Sequence, residues 1–243
     1  MMKIIKLFLF VWVGSKLFAQ QLHLSGIVVF ERKENMHKQL NGTSAWQDEL
    51  KDKMPKYRTD EFTLSFNAQQ SLYKLTKEES NAFANWWRVA ASNTVYKDLQ
   101  QQKAISIKDI YDEKYVIEDS IPAYRWRYYG DYRKIAGYNC RKAATIINDS
   151  LYVIAFYTDQ IPVSTGPESF GGLPGLILGI VVPKLNITCF ATQIQPKSLQ
   201  PEAFNFKKPK SKTISMQQFI TSVLDATKKW GEYASKVYFK SLL

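Results

Sequence analysis

Histidine and cysteine are scarce, two of each in 243 residues. His23 and His37 both lie near the start of the chain, far in sequence from Cys140, Cys189 and any serine motif. A Ser–His or Cys–His nucleophile pair therefore needs a long fold-back. Two separated cysteines and two histidines give no zinc spacing, so no metal or cofactor is expected. The glycines match neither a P-loop nor a dinucleotide fingerprint. Acidic residues are outnumbered, 22 Asp+Glu against 33 Lys+Arg, for a formal net charge of +11. No second long apolar run follows the first residues. At 45% hydrophobic and 14% aromatic, the composition is globular, and disorder is excluded.

What is present begins with an export pattern. Lys3 and Lys6 flank an apolar run from Leu7 to Val13, and Leu17-Phe18-Ala19 before Gln20 reads as a cleavage site. The run is shorter than the ~20 residues of a membrane span. The expectation is a signal peptide over 1–19 and one β-rich domain over 20–243, in the periplasm or secreted. In that oxidising setting, Cys140 and Cys189 are open to a disulfide, with two buried free thiols as the alternative. Export also removes nucleic acid from the expected partners. Peptides, glycans, anionic lipid headgroups and acidic protein surfaces remain.

Short strands dominate the pattern. They are expected over Leu22 to Arg32, Glu61 to Phe66, Ser71 to Leu75, Thr94 to Leu99, Ala104 to Ile110 and Tyr115 to Glu118. Others follow over Tyr124 to Tyr129, Tyr132 to Ile147, Leu151 to Thr158, Leu176 to Val182 and Asn186 to Ile194. Asn67-Ala68-Gln69-Gln70 suits a hairpin, and Gly130-Asp131 a two-residue turn. A weak helical pattern surrounds Trp46 and Leu50; Phe83, Trp86 and Trp87 suit either a short helix or an inserted loop. Met216, Phe219, Ile220, Val223 and Leu224 recur at helical spacing, with Ser215 and Gln218 placed as a capping box. The fold class is mainly β or α+β: an antiparallel curved sheet with a C-terminal amphipathic helix packed on it.

The stretch from Ser164 to Ile177 (STGPESFGGLPGLI) closely resembles the GLPGLI family of exported Bacteroidetes proteins. Trp126, the run from Lys134 to Ala143 (KIAGYNCRKA), Tyr157-Thr158, Ile161-Pro162 and Gly166-Pro167 stand in that family's order. Phe156 stands where many members carry Trp. The resemblance covers about residues 90 to 195. It implies an exported envelope protein of β-rich fold with no established activity, and a TonB-dependent outer-membrane receptor as partner.

Two stretches are candidate binding elements. In the loop, turn-forming Gly171, Gly172, Pro174 and Gly175 either plug one end of the sheet or, with Glu168, line a cleft mouth for a peptide or small ligand. In the stretch Tyr124 to Lys134, Trp126 shares a face with Tyr124 and Tyr128, and Arg125 shares the other with Arg127 and Tyr129. That arrangement is either a core face backed by a basic face or an aromatic platform with arginines for anionic groups. Lys142 falls on a face with Tyr138, Cys140, Ala144 and Ile146, where a lysine must pair, snorkel or line a cavity. No catalytic residue is assigned. A non-enzymatic ligand- or partner-binding module is the leading expectation. The competing one is an envelope hydrolase acting on peptide or glycan through Glu118, Asp119 or Glu168, and it requires those carboxylates to converge.

Overall fold

The computed structural model describes residues 24–40, 45–79, 88–110 and 113–243. The export pattern, His23, and the segment with Phe83, Trp86 and Trp87 lie outside them. Twelve strands form one open sheet: β1 (Gly26–Asn35), β2 (Tyr57–Phe66), β3 (Gln70–Lys77), β4 (Thr94–Asp98), β5 (Lys103–Ile110), β6 (Glu113–Ser120), β7 (Arg127–Ile135), β8 (Tyr138–Ile147), β9 (Leu151–Thr158), β10 (Leu176–Val182), β11 (Ile187–Pro196) and β12 (Thr213–Ile214). Their order is β12-β6-β5-β4-β3-β2-β1-β11-β10-β9-β8-β7. All neighbours are antiparallel except β12 with β6. The first strand thus sits mid-sheet, with a meander of the early strands on one side and the late strands on the other.

Period-two alternation makes the inner face. Val28, Phe30, Arg32 and Glu34 of β1 are buried on one side, and Phe62, Leu64 and Phe66 of β2 join them. Tyr73 stacks on Phe62 at 4.8 Å between ring centroids. Helices close the ends. α1 (Ala45–Lys53) falls where the pattern around Trp46 and Leu50 predicts a helix. α2 (Met216–Thr227) starts at the expected capping box, with Ser215 and Gln218 bonded reciprocally. It buries Phe219 and Val223 against Ile110 and Ile117. A further helix, α3 (Glu232–Ser241), follows beyond Gly231, with no counterpart in the sequence reading.

The β2–β3 hairpin matches expectation: the Asn67 amide donates to the Gln70 carbonyl at 2.9 Å, and the Asn67 side chain accepts from the Gln69 and Gln70 amides. The β7–β8 hairpin does not. Gly130-Asp131 is no turn; it lies within β7, where the register slips between Tyr128 and Tyr132. Two extra residues are absorbed there as a bulge. The chain reverses at Ala136-Gly137, whose φ values of +46° and +89° provide the left-handed pair that a tight hairpin turn needs. Nor is Tyr124 in a strand, since 121–126 has no ladder partners.

The face shared by Cys140, Lys142 and Ile146 is the outer one. Lys142 pairs with Phe156, Phe156 with Gly179, and Gly179 with Phe190. Cys189, next to Phe190, points the other way and opposes the buried Arg32. Ile146 is accordingly 60% exposed. Cys140 is buried nonetheless, because the β7–β8 hairpin brings Ile135 against Gly179 and Arg133 over the Phe156 and Phe190 rings.

Residues 159–175 leave the sheet after β9 and return into β10. Gly175 makes this possible: a Cβ there would sit 2.1 Å from the Thr158 carbonyl oxygen. Gly175→Ala must displace backbone and is expected to lower stability by about 3 kcal/mol in urea unfolding. Gly130→Ala, with nothing within 4 Å of the added methyl, should change stability by less than about 0.5 kcal/mol.

Candidate functional site: the locked loop and its cleft

Charge continues the inner face where the apolar rows stop. Glu34 opposes Arg58 and Arg32 opposes Asp60 across β1 and β2, all four at most 2% exposed. Arg58 bonds Glu34 at 2.7 Å and reaches Asp60 at 3.3 Å. Lys240 of α3 closes on the other Glu34 oxygen at 2.5 Å. Although burial opposes ionisation, Lys240, Arg58 and Arg32 together hold the Glu34 carboxyl down at about 2.

Two buried lysines extend this set. Lys97 of β4 donates to the carbonyls of Gly166 and Phe170 at 3.0 and 2.6 Å. Lys108 of β5 donates to the Ser241 carbonyl at 2.8 Å. Burial pushes Lys97 down to about 7 and Lys108 to about 8, against the upward pull of Glu168. Glu168 itself is 4% exposed, accepts from Asn93 at 2.9 Å and lies 3.8 Å from the Arg32 guanidinium. Its φ of +51° is costly for a residue other than glycine. The surrounding cations and Asn93 hold it there.

The loop is tied from every side. Ser71 shares a hydrogen bond with Thr165 at 2.8 Å. The Tyr124 hydroxyl meets Ser169 at 2.7 Å, and the Trp126 indole donates to the Gly171 carbonyl at 2.9 Å. The Tyr124 ring packs on Phe170 with centroids 5.3 Å apart. The loop plugs the inner face, one of the two roles weighed for it.

The candidate residues therefore separate. Glu168 is not at a cleft mouth but among buried cations. Gly171 is buried and Pro174 exposed, while Gly175 lies against Thr158. Trp126 binds the loop, and Arg125 and Arg127 are exposed. Lys142 is on the outer face, paired with Asp131 at 3.0 Å and 5.1 Å from the Tyr129 ring centre. Cys140 and Cys189 are free thiols, on opposite faces with two strands between them. Burial pushes both up to about 12, which leaves them protonated and unreactive at neutral pH. Sequence reasoning missed Arg32, Arg58, Lys97, Lys108 and Lys240. The signal existed for the first two, which continue the alternation of Val28-Phe30 and Phe62-Leu64.

The carboxylates weighed for hydrolysis do not converge. Glu118 pairs with Lys208 at 3.3 Å. Asp119 accepts from the Met216 amide at 3.0 Å, at the start of α2; Glu168 is inside. His37 is bonded to the Met54 carbonyl at 3.1 Å. Among the described residues no cluster of three or more His, Cys, Asp or Glu is placed to hold a metal. No helix among them is long and apolar enough to cross a membrane.

Of the loop candidates, Gly172 borders an open space. Its amide donates to the Ser164 hydroxyl at 3.1 Å, and both residues line a cleft of about 480 Å³. Pro162, Val163, Ile121, Pro122 and Tyr124 line it with them, as do Leu99 and Gln102 at the β4–β5 turn. A second hollow, about 500 Å³ beside Asp60, is rimmed by Glu61, Glu78 and Glu79. Arg88 and the Thr59 amide already engage Glu78 and Glu79.

A family model described as a protein of unknown function (Porph_ging) matches residues 145–179, the stretch from β8 through the locked loop into β10. No curated protein sequence matches the chain. Two solved structures of PNGF-II, in space groups C2 and P21, are similar at 16% and 15% identity with TM-scores of 0.51 and 0.50. They cover 89% and 82% of this chain, which spans about a third (33%) of theirs. An uncharacterized conserved protein from Thermus thermophilus aligns at 7% identity and TM-score 0.40, over 80% of this chain and 91% of its own. The likeness to PNGF-II is one of fold.

Proposed function

We propose that the chain is an exported envelope protein of the GLPGLI family, working as a non-enzymatic binding module with a TonB-dependent outer-membrane receptor as its partner. The carrying observation is the cleft at Ser164 and Gly172. It is open, yet one wall is the loop that Lys97, Ser71 and Trp126 hold in place. A wall fixed in advance costs little ordering on binding, and the volume lies within the roughly 300–1,000 Å³ usual for ligand sites. The hydrolase alternative is disfavoured by the separate engagements of Glu118, Asp119 and Glu168. Capture of the tagged protein from the envelope of its own host, with mass spectrometry of proteins and extracted small molecules, tests the reading. A stoichiometric receptor or a retained ligand is expected, reduced when Ala68 at the cleft rim is replaced by Trp. A clean monomer carrying neither overturns it.

A further inference from the structure

The cleft has a chemical character that its surroundings lack. The chain carries 33 Lys+Arg and 22 Asp+Glu, yet none of the residues lining this cleft is charged. A charged ligand group buried there would lose its water and meet no counter-charge. Arg125 and Arg127 are exposed and do not line the cleft, although Arg125 continues the strip beyond Tyr124.

The lining at Ala123 and Tyr124 continues into a strip with unused backbone. β6 ends at Ser120 and β7 begins at Arg127. Among the described residues, the amides and carbonyls of Ala123, Tyr124, Arg125 and Trp126 bond to no other backbone group. Their side chains alternate, Tyr124 and Trp126 turned in onto the loop, Ala123 and Arg125 exposed. The strip is thus anchored through Tyr124 and Trp126 while its backbone groups have no backbone partner among the described residues. Such a strip is a template for an added strand. Pro162 to Ser164, also in the lining, hold few side-chain polar groups, and the Ser164 hydroxyl already accepts from Gly172. A sugar chain, which needs many directional partners, is poorly served; a polypeptide is served by the backbone alone.

We infer that the cleft takes an uncharged segment of polypeptide in extended form, added as a strand to 123–126 with its side chains between Pro122 and Pro162. This rests on the binding-module reading and names the ligand class for it.

The test uses the full chain, isotope-labelled for amide NMR. The probe is a pool of hexapeptides capped at both ends and built from Ala, Val, Thr, Ser, Pro and Tyr. The comparison probes are the same pool with a central Glu or Lys, cellotetraose, and phosphatidylglycerol vesicles. Expected are shifts at 123–126, Ser164 and Gly172 with the neutral pool, and slowed hydrogen exchange of the strip amides. Both charged pools should bind at least about tenfold more weakly. Ala123→Pro, which removes an amide at an exposed position, should weaken the neutral pool about tenfold with the thermal midpoint unchanged. Equal binding of charged and neutral pools overturns the inference, as do shifts at these residues with cellotetraose or vesicles alone. No shift with any probe, when envelope capture returns a stoichiometric partner, overturns the peptide assignment alone. No shift and no captured partner overturns both readings.

Discussion

Replacing Glu168 by alanine is expected to lower folding stability by about 3–5 kcal/mol, the usual cost of stripping the partner from a buried charge. Glu168 is the carboxylate nearest Arg32, and its charge also acts on both Lys97 and Lys108. Glu168→Gln keeps an acceptor for Asn93 but not the charge, so most of the loss should persist. Adding Arg32→Met to Glu168→Gln should recover part of it, because an apolar side chain replaces the stranded cation. Urea unfolding of the four proteins decides the matter. A loss below about 1 kcal/mol for Glu168→Ala would mean that the carboxylate is solvated and the loop is held by its other bonds alone.

Stability should rise, not fall, from pH 7 to about pH 9. Lys97 and Lys108 have folded values of about 7 and 8 against an ordinary 10.5. Above those values the unfolded chain holds protons that the folded one has released, so the slope of stability with pH is positive. Integrated over the two pH units, the gain is about 3 kcal/mol. Above pH 9 the sign reverses. Cys140, Cys189 and Tyr124, each raised to about 12 by burial, stay protonated in the folded chain while the unfolded chain ionises. On the acid side, Glu34 at about 2 contributes stability that disappears as pH falls from about 4.5 to 2. Unfolding midpoints across pH 5 to 10 should therefore peak on the alkaline side of the common pH 5–8 range. Lys97→Met should remove up to one proton from the slope between pH 7 and 9 whatever it does to absolute stability. A flat profile in the wild type would refute the buried-amine account.

Much of the sheet is legible in the sequence because its strands follow the simple alternation rule, and β2–β3 also carries Asn67 at its turn. The β7–β8 turn is not. Its left-handed pair is Ala136-Gly137, and an alanine at φ +46° has no sequence signature. Gly130-Asp131 has one, but the strand spends it on a bulge. α3 escapes because its buried side includes Lys240 and Ser241, which read as polar surface. The loop is recognisable as a motif and its plugging role is one of two weighed, but its partners are hidden. Lys97 and Lys108 occupy β4 and β5 positions whose burial depends on a loop about 70 residues away and on the final helix. The period-two pattern even marks Arg32 and Arg58 as inward. The rule that charge faces water points the other way, and here the pattern wins.

The central place of β1 bears on the order in which the molecule can assemble. The β2–β3 hairpin is local, and β1 pairs with β2 across the connection that holds α1, so a nascent chain can form both early. The other side of β1 waits for β11, where Gly26 meets Pro196. Closing so wide a loop is slow relative to hairpin formation. Until it closes, Arg32, Lys97 and Lys108 are already in the growing meander and Glu168 is not. Among the described residues, the buried face of the first six strands then holds Arg32, Arg58, Lys97 and Lys108 against Glu34 and Asp60, and its surplus amines stay hydrated. Glu168 then brings a further buried carboxylate to Arg32 and Lys240 a cation to Glu34, so charge pairing couples the two halves.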